Sequence, residues 1–209
     1  MSNFPGKPVQ IMTKKLVNPR KKTEIFYPTI TNLADPAGQQ RMNKAIINSV
    51  YKLLTEQHYY EIENWHNIDG WFELKTNQRE VLSLINYNYA FPAQYAHGLT
   101  LAASLTFDTQ TGQDYSLSQL FKAQSNYVAI LSDLIKRQIR QREISLINEF
   151  IAIKPDQDYY IADKCLVVYF QIYEYTAYVE GFQFFPISVY EIASIIEEES
   201  PLGRMIPDY

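Results

Sequence analysis

A single cysteine, Cys165, in a chain of 209 residues excludes a disulfide within the chain. It heads the apolar run "CLVVYF", where a buried thiol acting as a small hydrophobe is the expected reading, ahead of a reactive nucleophile. Glycine is scarce as well, at 7 residues, which leaves little from which to build a phosphate-cradling loop. No G-x-S-x-G, H-E-x-x-H or C-x-x-C occurs, and His58, His66 and His97 have no zinc-ligand spacing, so no cofactor or metal is implied. Positive charge is short too. The net charge of -4 excludes the basic footprint of a nucleic-acid binder, and the nearest thing to a stripe, Lys14–Lys15 with Arg20–Lys22, reads as a solvated hairpin end. No apolar run approaches the roughly 18 residues that a membrane helix needs, and the printed start lacks a secretory pattern. These absences predict no membrane insertion and, taken alone, a cytoplasmic chain.

What the chain has is rings. Aromatics make up 14% of it, with 17 Tyr against 11 Phe and 2 Trp. Tyrosine suits half-buried pleated surfaces and interfaces alike, so the excess points to sheets first and to binding second.

Periodicity divides the chain. "DPAGQQRMNKAIINSVYKLLTEQ" predicts a helix with Asp35 as N-cap and Pro36 in its first turn, burying Met42, Ile46, Val50, Leu53 and Leu54. "VLSLINYNY" and "LTLAASLTF" alternate as half-buried antiparallel strands, joined by a loop holding Tyr95, His97 and Gly98. "DTQTG" at 108–112 predicts a tight turn, and Ser116 with Gln119 a capping box opening a short helix. A longer helix follows, burying Tyr127, Ile130, Leu131, Leu134 and Ile135, with Lys136, Arg137, Arg140 and Arg142 suiting its negative end. A long strand is then expected from Leu166 through Tyr175. A last helical segment should carry Ile192, Ile195 and Ile196 before the acidic run Glu197–Glu199.

Strands and helices fall in groups, which predicts an α+β fold: two consecutive subdomains, each an antiparallel sheet packed with one or two helices. The boundaries read as an N-terminal extended segment over 1–23, subdomains over 24–108 and 109–196, and a tail over 197–209.

Candidate site residues come from two places. "YFQIYEYTAY" sets five rings around Glu174, and alternation puts Tyr169, Tyr173 and Tyr175 opposite an apolar face, so the tyrosine side is either covered by a helix or shown to a partner. Tyr178 belongs to the same run. His97, beside Tyr95, sits in a loop between strands, where a scaffold can hold a functional residue. Glu61 and Glu63 would share a strand face, but no pair of acids from different elements stands out as catalytic.

The stretches "LTFDTQTGQDYSLSQLF" and "DQDYYIADKCLVVYFQIYEYTAYVEG" resemble a bacterial domain family found in the extracytoplasmic half of the RsiV-type anti-sigma factor, a lysozyme receptor, and in the non-catalytic region of certain peptidoglycan deacetylases. Phe107, Asp108, Thr111, Gly112, Leu117, Leu120 and Phe121 carry the first block. Asp158, Tyr160, Leu166, Val167, Tyr169, Phe170, Tyr173, Glu174, Tyr178 and Gly181 carry the second. The upstream half, with its Ala-His-Gly at 96–98, looks like the domain that usually precedes it. Where the family has Ala-Pro, this chain has Thr176 and Ala177. The resemblance implies a non-catalytic binding or sensing module for a lysozyme-like protein or a peptidoglycan-related ligand, and an extracytoplasmic or spore- or envelope-associated location. A structural protein of an envelope or spore layer, and a small hydrolase of wall-derived or carbohydrate substrates using Glu174 or His97, stand as alternatives.

Overall fold

The computed structural model describes residues 7–206, and Pro5, one of the prolines that break the opening segment, lies outside them. The fold is α+β in two units, which divide between Asp114 and Tyr115. In the first unit five strands form one sheet in chain order: β1 (Gln10–Asn18), β2 (Thr23–Thr31), β3 (Trp65–Gln78), β4 (Val81–Pro92) and β5 (Leu99–Asp108). Three of the four pairings are antiparallel. The exception is β2–β3, where Thr23 to Ile25 run parallel to Ile68 to Gly70, because helix α1 (Pro36–Glu56) carries the chain back across the sheet. The opening segment is thus not separate from the first subdomain: its β1 pairs with β2 along the whole strand.

Helix α1 forms as its sequence dictates. The Asp35 carboxylate accepts from the N–H groups of Ala37 and Gly38, both at 2.9 Å, and the stripe from Met42 to Leu54 is buried. Each of those side chains contributes about 1.5–3 kcal/mol of burial. One apolar cluster joins Met42 and Ile46 to Ile30, Leu82, Leu84 and Phe107, and another joins Val50 and Leu54 to Ile25, Trp65, Ile68 and Ala90. Buried polar groups also tie α1 to the sheet. The Asn86 amide donates to Ser49 Oγ at 2.6 Å, and the Gln57 amide donates to the carbonyls of Asn88 and Leu99 at 2.8 and 2.9 Å. Strand β4 departs from its half-buried reading, since Val81 to Asn88 are buried without a break.

In the second unit a turn at Leu117–Leu120 opens with the Gln119 side chain accepting from the Ser116 N–H at 2.9 Å, the contact that the capping box anticipates. Helix α2 (Tyr127–Gln141) buries Leu131, Leu134 and Ile135, whereas Ile130 stays exposed. Three antiparallel strands follow in the order β6 (Tyr159–Ala162), β7 (Cys165–Phe170) and β8 (Gln183–Ser188). The basic end of α2 serves the fold: Gln138 and Arg142 donate to the carbonyls of Pro186 and Phe184, each at 2.8 Å, and Arg137 pairs with Glu191 at 2.8 Å.

Two C-terminal expectations are corrected. The segment around Ile192 forms turns and one short 3-10 stretch, Ala193–Ile195, in place of an α-helix, because Ile196 is drawn into a bridge with Phe121. Residues 197–206 do not trail off: Ser200, Leu202 and Met205 are buried, and the Glu197 N–H donates to the Leu120 carbonyl at 2.9 Å.

Candidate functional site

Strand β7 stops at Phe170, five residues before the expected end. The cause is Glu174. Its N–H donates to the Gln171 carbonyl at 3.1 Å while its Oε2 accepts from the Gln171 N–H at 3.0 Å, so a turn uses both backbone groups that a longer strand would have offered. The turn places Tyr173 in the left-handed region, φ 72°, an unusual conformation for an aromatic residue.

The irregular segment after α2 holds this turn in place. Lys154 Nζ lies 2.9 Å from Glu174 Oε1, the Asn148 amide donates to the Glu174 carbonyl at 3.1 Å, and the Ile147 N–H donates to the Tyr175 carbonyl at 2.9 Å. Glu174 is therefore committed on both oxygens. The hydrogen bond from Lys154, and then the charge of Glu174, raise the Lys154 pKa above its ordinary value.

The five rings separate into core and surface. Tyr169 is 0% exposed, and Val167 beside it is also buried, so the face expected to meet a helix or a partner is interior at β7. Tyr175 is partly buried and sets its ring edge-on to Phe150 and Phe170, at 5.3 and 4.8 Å between centroids. Tyr173 and Tyr178 are the exposed pair, with centroids 5.6 Å apart and planes at 35°. Val179 next to them is 86% exposed. Leu146, Ile147 and Ile151 on the adjoining segment are exposed as well, so two hydrogen-bonded stretches both carry exposed apolar side chains, and Glu149 and Glu180 within them are exposed carboxylates. Periodicity could not find its first half, because residues 143–158 belong to no regular element.

In the same segment Thr176 is 1% exposed and its hydroxyl has no hydrogen-bond partner. This is one of the two positions at which the chain departs from the Ala-Pro of the family it resembles.

The other two candidates belong to the first unit. The His97 Nδ1 lies 2.9 Å from the Gly98 carbonyl, and both His97 and Tyr95 are exposed. Gly98 is a packing residue: a Cβ there would stand 2.4 Å from the Tyr89 ring. Tyr95 lines a hollow of about 330 Å³ with Glu61 and Glu63, which lie in the turn and loop after α1 and not on the expected strand face. Among the described residues no group of three or more His, Cys, Asp or Glu is placed to hold a metal ion, and no helix is long and apolar enough to cross a membrane.

Residues 118–190 match a domain family described as a protein of unknown function, DUF3298. Two solved structures of proteins from that family share the fold. One, from Bacteroides fragilis NCTC 9343, has a TM-score of 0.71 at 15% identity and covers 95% of this chain and 99% of its own. The other, from Pseudomonas aeruginosa PAO1, has a TM-score of 0.68 at 10% identity, with 97% of each chain covered. No curated protein sequence matches the chain.

Proposed function

We propose that this chain is a non-catalytic binding or sensing module whose ligand is a protein, docked on the surface of Leu146, Ile147, Ile151, Tyr173, Tyr178 and Val179. The observation that carries the reading is the exposure of these side chains on two segments tied together by hydrogen bonds. An exposed apolar patch with a polar rim is the usual mark of an interaction site. Tyrosine adds rigid, amphipathic contact area. The strained backbone at Tyr173 fits the same reading, since such conformations concentrate where binding needs them. Glu174, engaged with Gln171 and Lys154, then serves to shape the surface.

The resemblance to the RsiV-type receptor makes a lysozyme-like protein the first ligand to try. An extracytoplasmic or envelope location belongs with this reading. Interferometry against lysozyme and against soluble peptidoglycan fragments tests it, with the double variant Tyr173→Ser/Val179→Ser alongside. Saturable lysozyme binding that weakens at least about tenfold in the variant is expected. Retention of glycan fragments alone, self-association through the same residues, or no binding up to about 50 micromolar would each overturn the protein-ligand reading.

A further inference from the structure

The first unit carries a second, chemically different feature at the end of its sheet where β2 and β3 begin. A hollow of about 370 Å³ is lined there by Arg20, Lys22, His66, Asn64, Gln94 and Glu63, together with Trp65 and Ala93. Donors dominate this lining: a guanidinium, an ammonium, an imidazole N–H and two carboxamides face a single carboxylate. In a chain of net charge -4 this is a local inversion of sign.

The positive groups are held by design of the local backbone. Between Arg20 and Lys22, Lys21 turns the other way: its Nζ donates to the carbonyls of Tyr59 and Ile62 and lies 4.6 Å from the Tyr59 ring centroid. Asn18 caps the Pro19–Lys21 turn and donates to the Tyr59 hydroxyl at 2.8 Å, while Lys22 ends the turn in the left-handed region, φ 50°. Thr23 and Ile68 then fix the following residues, with the Ile68 N–H donating to the Lys22 carbonyl at 3.0 Å. On the other side the His66 ring stands against Phe91, 4.5 Å between centroids, and the Ala93 N–H donates to the Asn64 carbonyl at 3.0 Å. Anchoring Lys21 inward leaves its two neighbours on the hollow, and neither forms an ion pair among the described residues.

We infer that this hollow is a binding site for an oxyanion of the phosphate or sulfate type. Arg20 supplies the planar fork that matches two oxygens and Lys22 a point charge. Asn64, His66 and Gln94 supply neutral donors, and Glu63 limits the total charge so that the site selects a small anion over a long polyanion. A free anion and the headgroup of an acidic lipid share this chemistry.

Two-dimensional amide NMR with inorganic sulfate, titrated against chloride at constant ionic strength, tests the assignment. Saturable shifts are expected at residues 20–23, 63–67 and 93–95. The Arg20→Gln/Lys22→Gln variant should weaken them at least about tenfold, whereas Lys14→Gln/Lys15→Gln, with the same charge change, should leave them within about twofold. Sedimentation with phosphatidylglycerol and phosphatidylcholine vesicles separates the sources. Binding to the acidic vesicles that is lost with Arg20 and Lys22 identifies a headgroup, and sulfate binding without it identifies a free anion. Shifts spread over the whole surface, equal losses in both variants, or no response in either arm would overturn the site. Thermal midpoints of both variants within a few degrees of the parent confirm that folding is not the cause.

Discussion

Gly112 lies against Gly38 so closely that a Cβ on Gly112 would fall 2.5 Å from the Gly38 Cα. The contact joins the turn after β5 to the first turn of α1, and three further bonds fix it: Asp108 Oδ1 accepts from the N–H groups of Gln110 and Thr111 at 2.7 and 3.0 Å, and Arg41 donates to the Thr111 carbonyl. Gly112 also has φ +68°. Gly112→Ala is therefore expected to cost more than about 2 kcal/mol, from left-handed strain and collision with backbone together. Urea unfolding measures it. A loss below about 0.5 kcal/mol would contradict this packing.

Thr176 gives the opposite sign. Its hydroxyl is buried without a partner, so Thr176→Val, which keeps the shape and removes the polar atom, should raise stability by about 1 kcal/mol. A lowered thermal midpoint would mean that the hydroxyl has a partner in solution.

Tyr173 should trade stability against binding. Glycine at this left-handed position relieves about 0.5–1 kcal/mol of strain while removing an exposed ring. Tyr173→Gly is thus expected to unfold at higher urea and to bind the protein ligand more weakly. A variant that loses both properties would place Tyr173 in the core and not on the surface.

The Lys154–Glu174 pair predicts an alkaline dependence. The folded-state pKa of Lys154 lies above the ordinary value of 10.5, so the pair's contribution is fully present below about pH 10.5 and fades as pH climbs through the raised value. The Lys154 side chain is 72% exposed, which keeps the contribution under about 1 kcal/mol. Comparing the parent with Lys154→Gln should give a stability gap that is constant from about pH 7 to 9 and closes as pH rises past the ordinary lysine value of 10.5. A gap that widens with rising pH would contradict the sign.

The features readable from the sequence were those written in local chemistry: the Asp35 cap, the α1 stripe, the Asp108 turn and the Ser116–Gln119 contact all depend on residues a few positions apart. The fate of the rings was not readable. Alternation from Leu166 to Tyr175 looks like one strand, yet a side chain within the run, Glu174, ends the strand by taking the Gln171 N–H. Tyr169 and Tyr173 occupy equivalent places in the pattern, but one is wholly buried in a three-stranded sheet and the other stands 46% exposed on a turn. Ile147, Ile151 and Lys154 left no periodic signal, because their segment is shaped by bonds to residues 174–175, more than twenty positions away for the first two.

Amide hydrogen exchange of the chain with and without saturating lysozyme probes the proposed docking surface. The expected result is slowed exchange confined to residues 146–151 and 171–181. Unchanged exchange there, with protection appearing only in the first unit or nowhere, would contradict it.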